Sequence, residues 1–215
     1  MQYQIFKSNG ELVAWFDTET EDAVLKRGYE VQKGESLSVQ EVFEKGVKPC
    51  VAEFEKVSWG QYCYDRKCDP ANVFTEPYSK EYDGIKLPKR ATKGSAGYDF
   101  YALFDITLNP GETIQFPTGI RCKMKDNVVL MLYPRSGLGF KYRLRLENTV
   151  GVIDSDYYYS KNEGHIQVKM TNEGNRPVII KAGEAYMQGI FTEYLLADEE
   201  EVTEKRDGGF GSTTK

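Results

Sequence analysis

The chain has 215 residues, enough for one ordinary core or one core with a small appendage. A hydrophobic share of 40% beside 28% charged residues is globular and excludes a disordered chain. The net charge of −5 argues against a polynucleotide partner, since phosphate neutralisation dominates that affinity, and no apolar run approaches the ~20 residues of a membrane helix.

Met1-Gln-Tyr-Gln-Ile-Phe-Lys7 lacks the charged-then-apolar build of a signal peptide, so a soluble, cytoplasmic protein is expected. Gln4-Ile-Phe6 and Leu12-Val-Ala-Trp-Phe16 predict a small hairpin turned at Asn9-Gly10. Thr18 with Glu21 and Ser38 with Glu41 are capping-box pairs that predict helices over 18–27 and from Ser38 to Gly46. An aromatic, cysteine-containing stretch from Phe54 to Tyr64 follows, then a polar linker through Pro77. Cys50, Cys63, Cys68 and Cys122 lack close C-x-x-C pairs, and His165 is the only histidine. Reduced thiols are expected, with a three-cysteine zinc knot from Cys50, Cys63 and Cys68 as the alternative.

From about Ile85 the texture changes to short β runs separated by turns. Strands are predicted at 113–116, 120–124, 128–132, 165–170 and 177–180, with turns at Asn109-Pro-Gly111, Asp126-Asn127 and Lys181-Ala-Gly183. This spacing means a β-sandwich, jelly roll or barrel. The expected division is an α+β N-terminal extension over 1–76, a β core over 77–203 and a glycine-rich arm over 204–215. The acidic run from Asp198 to Glu201 reads as a solvated linker.

In Gly151-Val-Ile-Asp-Ser-Asp-Tyr157 an apolar strand opens onto two aspartates. In extended backbone Asp154 and Asp156 share a face. They read either as an Asx-rich turn or as a carboxylate able to take a proton from water, with Tyr157 as a platform for a sugar or base. The tail, Lys205-Arg-Asp-Gly-Gly-Phe-Gly-Ser-Thr-Thr-Lys215, reads either as a frayed terminus or as a phosphate-wrapping arm with a stacking aromatic.

Five segments in order carry a resemblance: Ser95-Ala-Gly-Tyr-Asp-Phe100, Pro134-Arg-Ser-Gly-Leu138, Asn148 through Tyr157, Gly183-Glu-Ala-Tyr-Met-Gln-Gly-Ile-Phe191, and the tail. Together they resemble the five motifs of the trimeric dUTP diphosphatases (dUTPases). The context of Lys141 and the Asn162-Glu-Gly-His-Ile166 loop are similar to versions from phages and Firmicutes, which implies a bacterial or phage-infected cytoplasm. The resemblance runs from about Leu87 to the C-terminus. It implies a mainly β, jelly-roll-like subunit in a homotrimer whose active sites each draw on three chains. It also implies Mg²⁺-dependent hydrolysis of dUTP to dUMP and pyrophosphate, which removes dUTP and supplies dUMP for dTMP synthesis.

Carried over by motif, Asp154 would be the general base, ionised as an aspartate is at neutral pH. Asp156 would support it, and Asp99 would orient water around the metal. Asn148 would read the uracil edge, and Tyr157 would lie under the deoxyribose, leaving no room for a 2′-hydroxyl. Arg135, Ser136 and Gly137 would hold phosphates from a neighbouring subunit, with Gln188 at a further phosphate position. Phe210 would cover the uracil while Arg206, Gly211, Ser212 and Thr213 close on the outer phosphates. Mg²⁺ would be held by phosphate oxygens and water, with no direct protein ligand.

The chain departs from the family pattern in places. Ala185 stands where arginine is common, Thr214 where glycine is, Arg206-Asp207 lies one residue closer to the glycines, and 158–162 is an insertion beside the sugar site. One rival is a dCTP deaminase on the same fold, which needs a glutamate where this chain has Lys169. The other is a regulatory protein that has kept the fold, with the N-terminal extension either a structural cap or the contact for a protein partner.

Overall fold

The computed structural model describes residues 51–68, 78–197 and 206, together with the backbone of 2–6, 12–17 and 30–32. The chain divides into two compact units, Met1–Val51 and Ala52–Lys215. Within the first, β1 (Gln2–Phe6) pairs antiparallel with both β2 (Leu12–Asp17) and β3 (Glu30–Gln32). The expected hairpin is present in its strands. Its Asn9-Gly10 turn and both capped helices lie outside the described residues.

The second unit begins well before the boundary expected at 77. Its first strand, β4 (Ala52–Lys56), pairs antiparallel with β9 (Ile120–Met124), Phe54 opposite Cys122. Phe54 then packs against Tyr98, Phe100 and Phe191 at ring distances of 5.5, 5.7 and 5.5 Å. An aromatic cluster around the buried Phe100 therefore draws residues 52–56 into the β unit. Next comes α1 (Trp59–Arg66), where the Ser58 hydroxyl accepts the Gln61 N–H and Lys67 stops the helix in the left-handed region. The short helix α2 (Tyr78–Asp83) packs beside it through Glu81, which binds both Tyr62 and Arg66.

The main sheet has the order β12-β10-β15-β6-β5. Its strands are β5 (Lys89–Arg90), β6 (Tyr98–Tyr101), β10 (Val128–Pro134), β12 (Gly151–Ile153) and β15 (Ala185–Glu193). A second sheet runs β11-β13-β8, from β8 (Thr113–Pro117), β11 (Leu144–Leu146) and β13 (Gln167–Asn172). A ribbon of β7 (Ile106–Leu108) and β14 (Val178–Ile180) completes a mainly β unit. Alternation selects the core: in β13, Val168, Met170 and Asn172 point inward while Gln167, Lys169 and Thr171 do not. Leu130, Ile166, Tyr186 and Met187 are fully buried at its centre.

A helix interrupts the β runs expected beyond Ile85: α3 (Ser136–Tyr142). It buries no side chain and contains Gly137 and Gly139, so neither apolar periodicity nor propensity marks it.

Candidate active site

β10 and β12 lie close because Gly151 has no side chain: a Cβ there would sit 2.9 Å from the Leu132 Cβ. After Ile153 the chain turns, and Asp154 stands at the N-cap of a 3-10 turn over Ser155–Tyr159 without a side-chain capping bond. The turn buries Tyr157 and leaves Asp154 and Asp156 about half exposed, at 44% and 55%. The Tyr157 hydroxyl donates to the His165 carbonyl at 2.9 Å and accepts the Asn162 amide at 2.8 Å. Burial pushes its phenol pKa up, against the Asn162 donor.

Asn148 stands in the turn between β11 and β12, beside Thr149 at φ +64. It lines a cleft of about 400 Å³ with Asp154, Tyr157 and Arg206. Leu132, Leu146, Ile153 and Met187 form apolar walls. A pocket of this size with a few convergent polar groups suits one nucleoside-sized ligand. Gln115, Glu147, Gln167 and Lys169 also line it, and sequence motifs did not flag the first three. Their strand alternation was the available signal, since Gln167 and Lys169 share a face. Lys169 stands where the deaminase rival needs its glutamate, 3.9 Å from Glu147.

Arg206, expected at the outer phosphates, here pairs with both aspartates. Its Nη2 pairs with Asp154 and its Nε donates to Asp156 at 2.8 Å. A guanidinium fork facing two carboxylates takes both, since charge-assisted bonds are the strongest available to it. Phe210, Gly211, Ser212 and Thr213 lie outside the described residues.

The remaining expected residues gather elsewhere. Asp99 on β6 pairs across the sheet with Gln188 on β15, and Gln188 with Tyr133 on β10. Arg135 follows β10 and holds its Nε 3.3 Å from the buried Asp99 carboxylate. Arg135, Ser136 and Gln188 line an open groove with Tyr133, Phe140 and Ile190. Gly137 lies exposed in α3, next to Ser136. Leu132 and Met187 face the cleft while Tyr133 and Gln188 face the groove, so the two groups occupy opposite faces of one sheet.

Among the described residues no group of three or more His, Cys, Asp or Glu forms a metal cage. Cys63, Cys68 and Cys122 are thiols, and Cys50 lies outside the described residues. No described helix is long and apolar enough to cross a membrane.

This arrangement has known relatives. The deoxyuridine 5′-triphosphate nucleotidohydrolase of Lactococcus lactis is 47% identical over 133 residues, covering 60% of this chain and 89% of that protein. The enzyme of the same name from Desulfitobacterium hafniense is 40% identical over 144 residues, covering 63% and 92%. Among solved structures, the dUTPase from Streptococcus mutans superposes with a TM-score of 0.51 at 35% identity, over 67% of this chain and 98% of that one. A dUTPase of Staphylococcus bacteriophage 80alpha shares the fold at a TM-score of 0.50 and 17% identity, over 71% of this chain and 96% of its own. The dUTPase family model matches residues 83–214, and the chain belongs to the dUTPase family.

Proposed function

We propose that the chain hydrolyses dUTP to dUMP and pyrophosphate, with Asp154 as the general base. The observation that carries this reading is the single cleft that gathers Asn148, Asp154 and Tyr157 in a member of this family. Asn148, exposed on the cleft wall, reads the uracil edge, and the buried Tyr157 ring packs under the deoxyribose where a 2′-hydroxyl would collide. Asp154 takes a proton from water as its oxygen attacks the α-phosphorus. The bond from that phosphorus to the α,β-bridging oxygen breaks, and pyrophosphate leaves with the electron pair. Arg206 exchanges its two carboxylates for phosphate oxygens as substrate enters, which frees Asp154 and draws the tail over the cleft with Phe210 on the base.

Mg²⁺ is compatible with this site, where Asp154 and Asp156 stand about half exposed beside the cleft, because the ion dehydrates reluctantly and would take phosphate oxygens and water as its ligands. When bound it would neutralise triphosphate charge and polarise the scissile phosphorus. Asp156 beside the cleft, and Asp99 from the groove of a second copy, would orient water around it. A homotrimer supplies the rest of the site: the groove of one copy, with Arg135, Ser136, Gly137 and Gln188, meets the cleft of another at the phosphates. Phe140 beside that groove is 92% exposed, an apolar group that a second copy would cover.

Asp154→Asn is the decisive test. Pyrophosphate release from dUTP should fall by at least ~100-fold, as removal of a general base does, while the protein stays folded by circular dichroism. Unchanged release would place the base elsewhere.

A further inference from the structure

Residues 52–68 precede the segment that the family model matches. Three of their side chains nonetheless end on one loop, residues 157–165. Glu55 accepts the Tyr158 hydroxyl at 2.9 Å and pairs with Arg121 at 2.7 Å. The Arg121 guanidinium lies over the Tyr158 ring, 4.4 Å from its centre. Ser58 donates its backbone N–H and its hydroxyl to the two oxygens of Glu163, at 2.7 and 2.6 Å. Asp65, on α1, lies 2.5 Å from Nδ1 of the wholly buried His165.

The tautomer of His165 follows from its other contact. The Gly119 N–H donates to Nε2 at 2.8 Å, so Nε2 carries the lone pair and the ring proton on Nδ1 goes to Asp65. The backbone of the same histidine accepts the Tyr157 hydroxyl. Gly164, at φ +68, leaves no slack between them: a Cβ there would lie 2.6 Å from the Tyr158 Cα and 2.8 Å from the Tyr157 carbonyl oxygen. Asp65 thus orients the imidazole, and the histidine it fixes holds Tyr157.

We infer that residues 52–68 clamp the sugar platform, and that Asp65, acting through His165, is a positioning residue that sets how well the site rejects a 2′-hydroxyl. The inference rests on the reading of the cleft as a dUTP site. Rejection by shape is sensitive to fit, since a supporting shell loose by about 1 Å is enough to lose such a constellation. A segment that only covered the sheet edge would add stability without touching discrimination.

The experiment uses the full chain as wild type, Asp65→Ala, Asp65→Asn and the core truncation Val178→Ala. It reads kcat/KM for dUTP and for UTP, thermal midpoints, and hydrogen–deuterium exchange over 157–165. Asp65→Ala should lower the dUTP-to-UTP ratio by about tenfold or more and speed exchange in that loop, as loss of one pocket-shaping contact does. Asp65→Asn keeps an acceptor oxygen for the Nδ1 proton and should stay within about threefold of wild type. Val178→Ala should lower the midpoint with the ratio unmoved. If Asp65→Ala does not fold, Glu163→Ala, which cuts the Ser58 tie, takes its place in the same assay.

Two results overturn the clamp: a wild-type ratio with wild-type loop exchange in Asp65→Ala, or an equal fall of the ratio in Val178→Ala. Failure of the wild type to hydrolyse dUTP would instead sink the functional reading, and loop exchange alone would then decide the clamp.

Discussion

Strands β10 and β15 supply both the cleft and the groove, through alternate residues, yet the two sides are built differently. On one side Leu132, Met187 and the buried Tyr157 enclose a pocket with Asn148 and Asp154 at its polar points. On the other, Arg135 and Ser136 stand exposed around an open surface beside the buried Asp99 carboxylate. A base and a sugar are recognised by enclosure, which one chain can provide. A triphosphate is held by charge, and although Arg206 and Lys169 line the cleft, Arg135 and Ser136 face away from the pocket that would hold the nucleoside. Under the proposed mechanism one side would be a nearly complete site and the other a half-site serving another copy.

The largest effect that tests this division comes from the half-site. Arg135→Ala should cost about 100-fold in kcat/KM, since a charge-assisted bond to phosphate contributes roughly 1.5–3 kcal/mol. Mixed oligomers of Arg135→Ala with Asp154→Asn should then recover pyrophosphate release, because some sites would combine an intact cleft with an intact groove. No recovery after verified subunit exchange would mean that both groups serve one site within one chain, and the comparison would break. Deleting 206–215 should cost at least about tenfold, with Phe210 stacking worth ~1–3 kcal/mol, while gel filtration still shows the folded oligomer. Full activity in the truncated protein would sink the closing arm.

Much of this division was legible in local pattern. Ile120–Met124 is a strand over the residues its alternation marked, and Val128–Pro134 runs two residues past its expected end. Asn148, Asp154 and Tyr157, neighbours in one sequence motif, line one cleft. The longest strand, Ala185–Glu193, escaped periodicity because Tyr186, Met187 and Gly189 are all buried, so no clean polar alternation survives. The place of residues 52–68 was also hidden. Its cause is long-range: β4 pairs with a strand more than sixty residues away, and Asp65 and His165 are separated by 100 positions. Local composition carries no trace of such a partner, and an aromatic, cysteine-bearing stretch looked like an appendage.

The smallest predicted effect separates the clamp from the sheet it grips, through acid. Burial pushes the Asp65 carboxyl up, but hydrogen bonds from His165 and Gln61 outweigh it and hold its pKa below 3.8. Glu163 is likewise held below its ordinary 4.5, with burial opposed by the two Ser58 donors. A carboxylate whose pKa is depressed by folding contributes stability above its unfolded value and loses it as pH falls through the folded one. Both ties of residues 52–68 to the 157–165 loop therefore weaken together in acid. The wild type should melt a few degrees above the uncharged double variant Asp65→Asn/Glu163→Gln near neutral pH. That gap should close as pH falls below about 4, where both carboxylates of the wild type take up protons. A gap that stays constant from about pH 7 to about pH 3 would show that the ionised forms of Asp65 and Glu163 do not hold the loop. The tie from residues 52–68 would then rest on the Phe54 cluster and the β4–β9 ladder, and the sugar platform would owe its position to apolar packing rather than to charge.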